Sequence, residues 1–476
     1  MKIRRSLIAA GLKAAAVMMI AGASITGGPA AASDEYAFIT TTDYTTGSSS
    51  VIYIDESYSR ETDLEVVGSD AISRWYGGLL YVVNRSGGDN IQILDPENDF
   101  STTDQFSVGN GSNPQDIAFI SATKAYVSRY DSNDLWIVNP STGAHTGTID
   151  LSSMADSDGL CEMAWMFMMD STLFISIQRI DRDNYWLPAG TSYLAVVDCD
   201  ADTLMDTDPG APGTQPITLT YSNPFSPIQY NRFDGMLYLS CVGYFGASDG
   251  GVVVIDPATL SVTGTMITES EAGGDINDLE IYSPERGYAI VTNPSFNTDL
   301  VSFNPSTGLK GGTLYSPGDY VLNAIEISPA GELFLADQTA TNPGIRIYSA
   351  CDGEEITGDP IDTGLPPFDI TFSGDVQTAA EEPEPPLALG QNYPNPFNPS
   401  TFIPFSMNRR GRVRAAVYDV SGRKVATLAE RVFAAGANRL EWDGRDSRSR
   451  KVCSGVYFAR VSTGSFTGTV KMMLIR

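Results

Sequence analysis

The sequence predicts an all-β chain, a seven-bladed β-propeller plus a C-terminal β-sandwich. An apolar-aromatic-apolar triplet recurs seven times between residues 37 and 335, at the spacing of four-stranded propeller blades. Long helical periodicity is missing beyond the N-terminus, and 45 Gly and 27 Pro punctuate the 476 residues. After a Pro/Glu-rich stretch, a second set of short alternating strands closes the chain.

The N-terminus reads as a signal peptide over residues 1–33. Lys2, Arg4 and Arg5 are its positive region, Ala14 to Ile25 its apolar stretch, and Ala30-Ala31-Ala32 its small-residue site. The apolar stretch is bounded by Lys13 and is short for a bilayer span. Cleavage near Ala32 or Ser33 is expected, with no transmembrane segment in the mature chain.

The propeller is expected over residues 34–375. Its first unit is a strand centred on Phe38, Tyr81, Tyr126, Phe174, Tyr238, Tyr288 and Phe334, at intervals of 43, 45, 48, 64, 50 and 46 residues. A second apolar strand follows each, as in Tyr53-Ile54-Asp55, Val254-Ile255-Asp256 and Ser302-Phe303-Asn304. Its terminal Asp or Asn caps a turn, and a following Pro presets φ there. The C-terminal strand Phe368 to Phe372 matches the inner strands of other units, which the first unit lacks, so it should complete the first blade and leave no open edge. Leu80-Tyr81-Val82-Val83-Asn84 and Tyr288-Ala289-Ile290-Val291-Thr292-Asn293 resemble the Tyr-Val-Thr-Asn strand of YVTN-type seven-bladed propellers.

Charge divides the chain. Of 30 basic and 58 acidic residues, the tail from Leu387 holds 15 and 5 and residues 1–33 hold 4 and none, leaving 11 and 53 between. A middle with that balance repels nucleic acid and anionic lipid. The lone histidine, His145, falls in a turn sequence, which argues against a Ser-His-Asp triad. Cys161, Cys199, Cys241, Cys351 and Cys453 are too scattered for a zinc pattern or a dense disulfide framework; export would allow one or two bridges.

Residues 376–388 form the Pro/Glu-rich linker and residues 389–476 the sandwich. The opening run Asn392, Tyr393, Pro394, Asn395, Pro396, Phe397, Asn398 and Pro399 suits an aromatic-anchored turn rather than a helix or central strand. With Tyr418 to Val425 (including Gly422 and Lys424), Trp442-Asp443-Gly444, Gly455, Tyr457 and the terminal segment from Lys471, it resembles the type A sorting domain of the type IX secretion system. It also resembles the immunoglobulin-like domain of flagellar hook-capping proteins. The resemblance implies an immunoglobulin-like sandwich, export through the type IX machinery, removal of the tail, and attachment at the outer-membrane surface. The basic balance of the tail suits anionic outer-membrane glycolipid.

Three features are candidate sites. Asp198, Asp200 and Asp202 alternate as hard-oxygen ligands would, making calcium the one cofactor suggested, although the same segment also reads as a blade turn with an insertion. Asp70, Asp116, Asp278, Asn323 and Asp369 each stand where an inner strand begins, either ringing the channel mouth or fixing local backbone. Loops of blades 2 to 5 hold Arg85, Arg129, Arg179 and Arg182 beside Tyr130, Tyr185, Trp186, Tyr244 and Phe245. These suit stacking on a glycan or peptide, or else local packing with ion pairs to Asp131, Asp181 and Asp183. No catalytic constellation stands out. The expected function is a secreted or surface binding protein; the competing readings are an extracellular hydrolase or lyase acting on polysaccharide and a structural surface-layer protein.

Overall fold

In a computed structural model, residues 35–374 and 387–475 are described, apart from Glu56, 408–410, 421–422, Ala435, Ser449 and 464–465. The expected signal peptide and the linker residues 375–386 lie outside the described residues. The rest is all-β and antiparallel, with short helical turns.

Among the described residues, seven sheets of three or more strands succeed one another between Tyr36 and Phe372, with a two-stranded ribbon, Ile180–Asp181 and Leu187–Pro188, beside the fourth in the chain. The second is typical: Ala71–Tyr76, Leu79–Asn84, Asn90–Asp95 and Ser101–Ser107 pair in chain order. The third (Pro114–Ser121 to Ala144–Asp150), fifth (Gln229–Asn231 to Ser261–Thr268) and sixth (Asp275–Ser283 to Leu309–Tyr315) repeat that pattern. The first sheet takes its inner strand from the far end: Pro367–Phe372 pairs with Tyr36–Thr42, Ala37 facing Phe372. This is the pairing that the match between Phe368 to Phe372 and the inner strands anticipates.

Three sheets depart from four regular strands; in the first, the short strands Arg60–Glu61 and Val66–Val67 share the outer edge. In the fourth, Thr203–Leu204 and Ile217–Thr218 share the outer edge, separated by a segment containing Pro209, Pro212 and Pro216. In the seventh, Leu322–Ile327, Glu332–Asp337 and Gly344–Ser349 are regular, and beyond them only the bridges Tyr348 to Glu355 and Ile345 to Ile361 form. Pro360 has no N–H for a ladder, and prolines in the fourth sheet break it in the same way.

The recurring aromatics sit on second strands, sandwiched between neighbouring sheets; Phe38, Tyr126, Phe174, Tyr288 and Phe334 are wholly buried. Each buried ring stabilises the fold by about 1.5–3 kcal/mol. Apolar clusters fill every junction in turn. Phe38 and Leu80 join sheets one and two, and Phe174 and Leu239 join four and five. Phe334 and Ala37 join the seventh back to the first.

The tail forms two more sheets. One pairs Leu387–Leu389, Thr401–Met407 and Gly436–Trp442; the other pairs Lys424–Phe433, Gly411–Asp419, Gly455–Thr463 and Phe466–Leu474. Thr401–Met407 alternates buried and exposed side chains, as a strand with one wet face must. Leu387, expected in the linker, is wholly buried in this core with Phe397, Trp442 and Met472. All five cysteines are free, so the bridges that export would allow are absent. Cys161, Cys199 and Cys241 are instead buried apolar side chains of the sheets.

Candidate functional site

Antiparallel pairing brings the start of each inner strand beside the end of its second strand, as where Ala71 faces Asn84 and Pro114 is opposite Arg129. The inner-strand starts and the second-to-third-strand loops therefore share one end of the molecule.

At the axis, polar side chains link every inner strand to the next. Asp369 of the first sheet accepts from Ser73 N at 2.8 Å, and Arg74 of the second donates to Asp116 at 2.8 Å. Asp116 accepts from Met166 N of the fourth sheet at 2.9 Å, and Trp165 Nε1 donates to Phe225 O at 2.7 Å. Gln229 of the fifth donates to Glu280 at 2.6 Å, and Asp278 of the sixth accepts from Ile325 N at 2.9 Å. Asn323 of the seventh sheet donates to Phe368 O at 2.5 Å, closing the circle. Asp116, Asp278, Asn323 and Asp369 thus engage the backbone or side chains of the neighbouring sheet. Asp70 turns outward to Arg85.

The belt is electrostatically lopsided. Burial alone would lower the Arg74 guanidinium, but Asp116, Asp369 and Glu326 outweigh it and hold the charge. Arg74 also lies over the Trp165 ring at 5.4 Å. On the sixth sheet, burial pushes Asp278 up to about 7, with the Asp369 charge adding to it.

The loop arginines are engaged locally. Arg85 pairs with Asp70 and lies 5.5 Å over Phe368. Arg129 is buried, donates to Val108 O at 3.0 Å and stacks on Trp136 at 4.4 Å. Arg179 donates to Thr191 O at 2.5 Å and covers Tyr193 at 5.1 Å. Arg182 pairs with Asp131 at 2.6 Å and with the buried Glu162 at 3.1 Å, touching the Tyr130 and Trp186 rings. Of the expected carboxylate partners Asp131 is so used; Asp181 caps the turn at Asp183 N instead. His145 opens a strand rather than lying in a turn, stacked on Trp136 at 4.1 Å.

The loop aromatics divide. Tyr130 is half-buried and donates to Gln178 at 2.7 Å. Tyr185 is 89% exposed and Trp186 58% exposed. Both have left-handed backbone, with φ of 59° and 60°. Tyr244 and Phe245 are exposed, Phe245 set edge-on to Phe225 at 5.3 Å. Three rings that sequence reading missed extend the row: Phe296 over Gly246, Tyr320 bonded to Asn277 at 3.3 Å, and Tyr44 edge-on to Phe368 at 6.4 Å. Each lies outside the regular triplet, in loops that carry no arginine, which is why the search for paired aromatics and arginines passed over them.

Asp198, Asp200 and Asp202 have separate partners. Asp198 accepts from the Asp200 and Ala201 amides, Asp200 accepts from Ser171 at 3.3 Å, and Asp202 pairs with Lys124 at 2.8 Å and Tyr126. Among the described residues no three His, Cys, Asp or Glu side chains stand ready around one ion.

In the tail, Asn392 is buried and donates to Pro394 O and Thr401, while Asn395 bonds the Lys471 carbonyl at 3.2 Å and accepts from Met473 N at 2.9 Å. Phe397 packs 5.5 Å from Trp442, which meets Tyr457 at 4.9 Å. The peptides before Pro394, Pro396 and Pro399 are cis, and Asn398 is exposed between them. Asp443 accepts from Arg445 N at 3.1 Å, Gly444 adopts φ 69°, and Lys424 and Gly455 open strands. Gly422 lies outside the described residues.

No family model and no curated protein matches the sequence. Among solved structures, a protein from Lactobacillus plantarum is similar at a TM-score of 0.52 and 13% identity, covering 71% of this chain and 99% of that one. PorZ, described as an essential bacterial surface component of the type IX secretion system of Porphyromonas gingivalis, aligns at a TM-score of 0.45 and 12% identity, covering 90% of this chain. The chain spans 63% of PorZ's length. The likeness is one of fold, all-β and propeller-like. No helix among the described residues is long and apolar enough to cross a membrane.

Proposed function

We propose that the chain is an exported binding protein. In this reading a seven-bladed propeller holds an extracellular glycan or peptide on its loop face, and the immunoglobulin-like tail directs type IX secretion and surface attachment. The observation that carries the binding reading is the row of exposed rings at one end of the seven sheets: Tyr185 and Trp186, Tyr244 and Phe245, then Phe296, Tyr320 and Tyr44. Flat apolar surface left in water and rimmed by polar groups marks interaction sites. Aromatic faces also suit sugar rings and peptide side chains. Arg85, Arg129, Arg179 and the Tyr130 ring support these loops from below, each through a local partner, so they position the face more than they contact a ligand.

The tail reading rests on the Asn392 to Pro399 turn, whose Asn395 ties the start of the sandwich to its last strand. Such a tie suits a module recognised as one folded piece.

Protein recovered from the surface of the native host tests both halves. Mass spectrometry should find chain ends within residues 375–386, and a glycan and peptide screen should return a ligand. Trp186→Ala with Phe245→Ala should then weaken binding by about 2 kcal/mol or more without loss of fold. Surface protein that retains Arg476 overturns the sorting reading, and unchanged affinity in the double variant overturns the ligand face.

A further inference from the structure

The loop Val242–Gly250 joins the second and third strands of the fifth sheet, and three carboxylates gather behind it. Glu269 opens the short helix Glu269–Ala272, and Asp275 opens the inner strand of the sixth sheet. Both are 0% exposed. Each spends one oxygen on the loop: Glu269 Oε2 accepts from Gly250 N at 2.7 Å and Asp275 Oδ2 from Gly246 N at 2.8 Å. The other oxygen of each, Glu269 Oε1 and Asp275 Oδ1, is buried with no hydrogen-bond partner. Asp249, exposed on the same loop, accepts from Tyr244 N at 3.1 Å.

Glycines make the room. A Cβ on Gly250 would stand 2.6 Å from Glu269 Oε1, and one on Gly243 would collide with the Asp249 carboxylate. Burial pushes Glu269 up to about 8, and the charges of Asp275 and Asp249 add to it. Burial likewise raises Asp275, again with Asp249 contributing. The charged groups acting on this pair are carboxylates; Lys310, near the end of the helix, is occupied by the Ala272 carbonyl at 2.5 Å. One buried unpaired charge is costly and two close together are worse, whereas a divalent cation satisfies both.

We propose that this loop holds a hard divalent cation of the calcium class, with Glu269 Oε1 and Asp275 Oδ1 as buried ligands and Asp249 lending negative charge from the solvent side without itself completing the ligand shell. Among the described residues no third acid, histidine or cysteine already completes a cluster with these two. Backbone carbonyls and water fill the remaining positions, as in weak extracellular calcium sites. Cys241 is near enough for Glu269 to raise its thiol further than burial alone does. The two free ligand atoms are carboxylate oxygens, hard donors that favour calcium over zinc. The ion would fix the loop that presents Tyr244 and Phe245, although the site itself is independent of any glycan or peptide.

The full chain, stripped of metal by chelator, is titrated separately with calcium, magnesium and zinc while thermal unfolding and equilibrium dialysis are followed. Calcium at about 5 mM should bind and raise the melting temperature by about 4 °C or more. Glu269→Gln with Asp275→Asn should abolish that rise and unfold no earlier than the parent in chelator, because two buried charges are gone. Asp249→Asn, at an exposed position, should weaken calcium affinity severalfold and leave the metal-free melting temperature unchanged; it keeps the test decisive if the double variant fails to fold. No bound calcium at that concentration, an undiminished response in Asp249→Asn or the double variant, or a zinc response exceeding that of calcium overturns the assignment.

Discussion

The two arcs of the loop face treat charge in opposite ways. Over sheets two to four, carboxylates meet arginines: the buried Asp116 meets Arg74, the half-exposed Asp70 meets Arg85 and the buried Glu162 meets Arg182. Over sheets five and six, Glu269, Asp275 and Asp278 are buried with amide partners and are pushed upward in pKa, whereas on the seventh the buried Asp337 again meets an arginine, Arg346, at 2.7 Å. Scarce basic residues are thus concentrated on one arc and spent internally. Sheets five and six are left with rings in water and buried acids that have amide rather than cationic partners. Their charge balance depends on protons or ions from outside.

The largest effect that would test this contrast lies on the balanced arc. Arg74→Met keeps the length of the side chain but leaves Asp116 buried with amide partners alone, and should cost about 3–5 kcal/mol in urea unfolding. A loss below about 1 kcal/mol would mean that Arg74 neutralises little.

The opposite arc should show itself in pH dependence. The fold raises Asp278 from 3.8 to about 7, so the neutral carboxyl is the form the native state favours. Its stabilising contribution is complete below pH 3.8 and is lost as pH rises through about 7. Glu162, pushed up to about 7 mainly by burial, acts in the same direction. In chelator the parent should be more stable at about pH 5 than at about pH 8, with roughly 2 kcal/mol of the difference from Asp278. Asp278→Asn should flatten that slope. A parent that gains stability toward alkaline pH, with a slope unchanged in the variant, would erase the contrast.

The smallest effect sharpens it. Tyr185→Ala removes an exposed ring and should change stability by less than about 0.5 kcal/mol. Arg129→Ala removes a buried hydrogen-bonded and stacked side chain, and should cost about 1–2 kcal/mol in the same denaturant series. Equal losses would mean that the Tyr185 ring is packed as tightly as the Arg129 side chain.

Much of the fold was legible because its signal is periodic. The second-strand aromatics recur with the sheets, and an Asp or Asn stands near the start of the inner strand in five of the seven repeats. The tail strands were legible by alternation, although Lys424 to Leu428 runs on to Phe433. What escaped reading is the private chemistry of single positions. Arg74 lies in an ordinary strand, and only the neighbouring sheet supplies Asp116. Arg129 and Arg179 suit a surface in the sequence because their partners, Val108 O and Thr191 O, are backbone atoms with no residue signature. Glu269 and Asp275 belong to two elements flanking one loop, a coincidence of folding that no linear spacing records. Asp198 to Asp202 shows the converse: alternation that resembles a cation loop is consumed by a turn, a lysine and a tyrosine.

The join between Tyr36–Thr42 and Pro367–Phe372 also has a bearing on time. Tyr36 N reaches Ser373 across 337 residues of chain. Bringing ends so far apart in sequence together costs about 5 kcal/mol of loop-closure entropy. Until that strand arrives, the first sheet has an open inner edge, and contacts of such high order slow folding. An emerging chain therefore gains little from its first strand until nearly all seven sheets have been made. That delay leaves the inner edge of the first sheet open until the chain is nearly complete, and makes final closure an event that a shortened chain cannot reach.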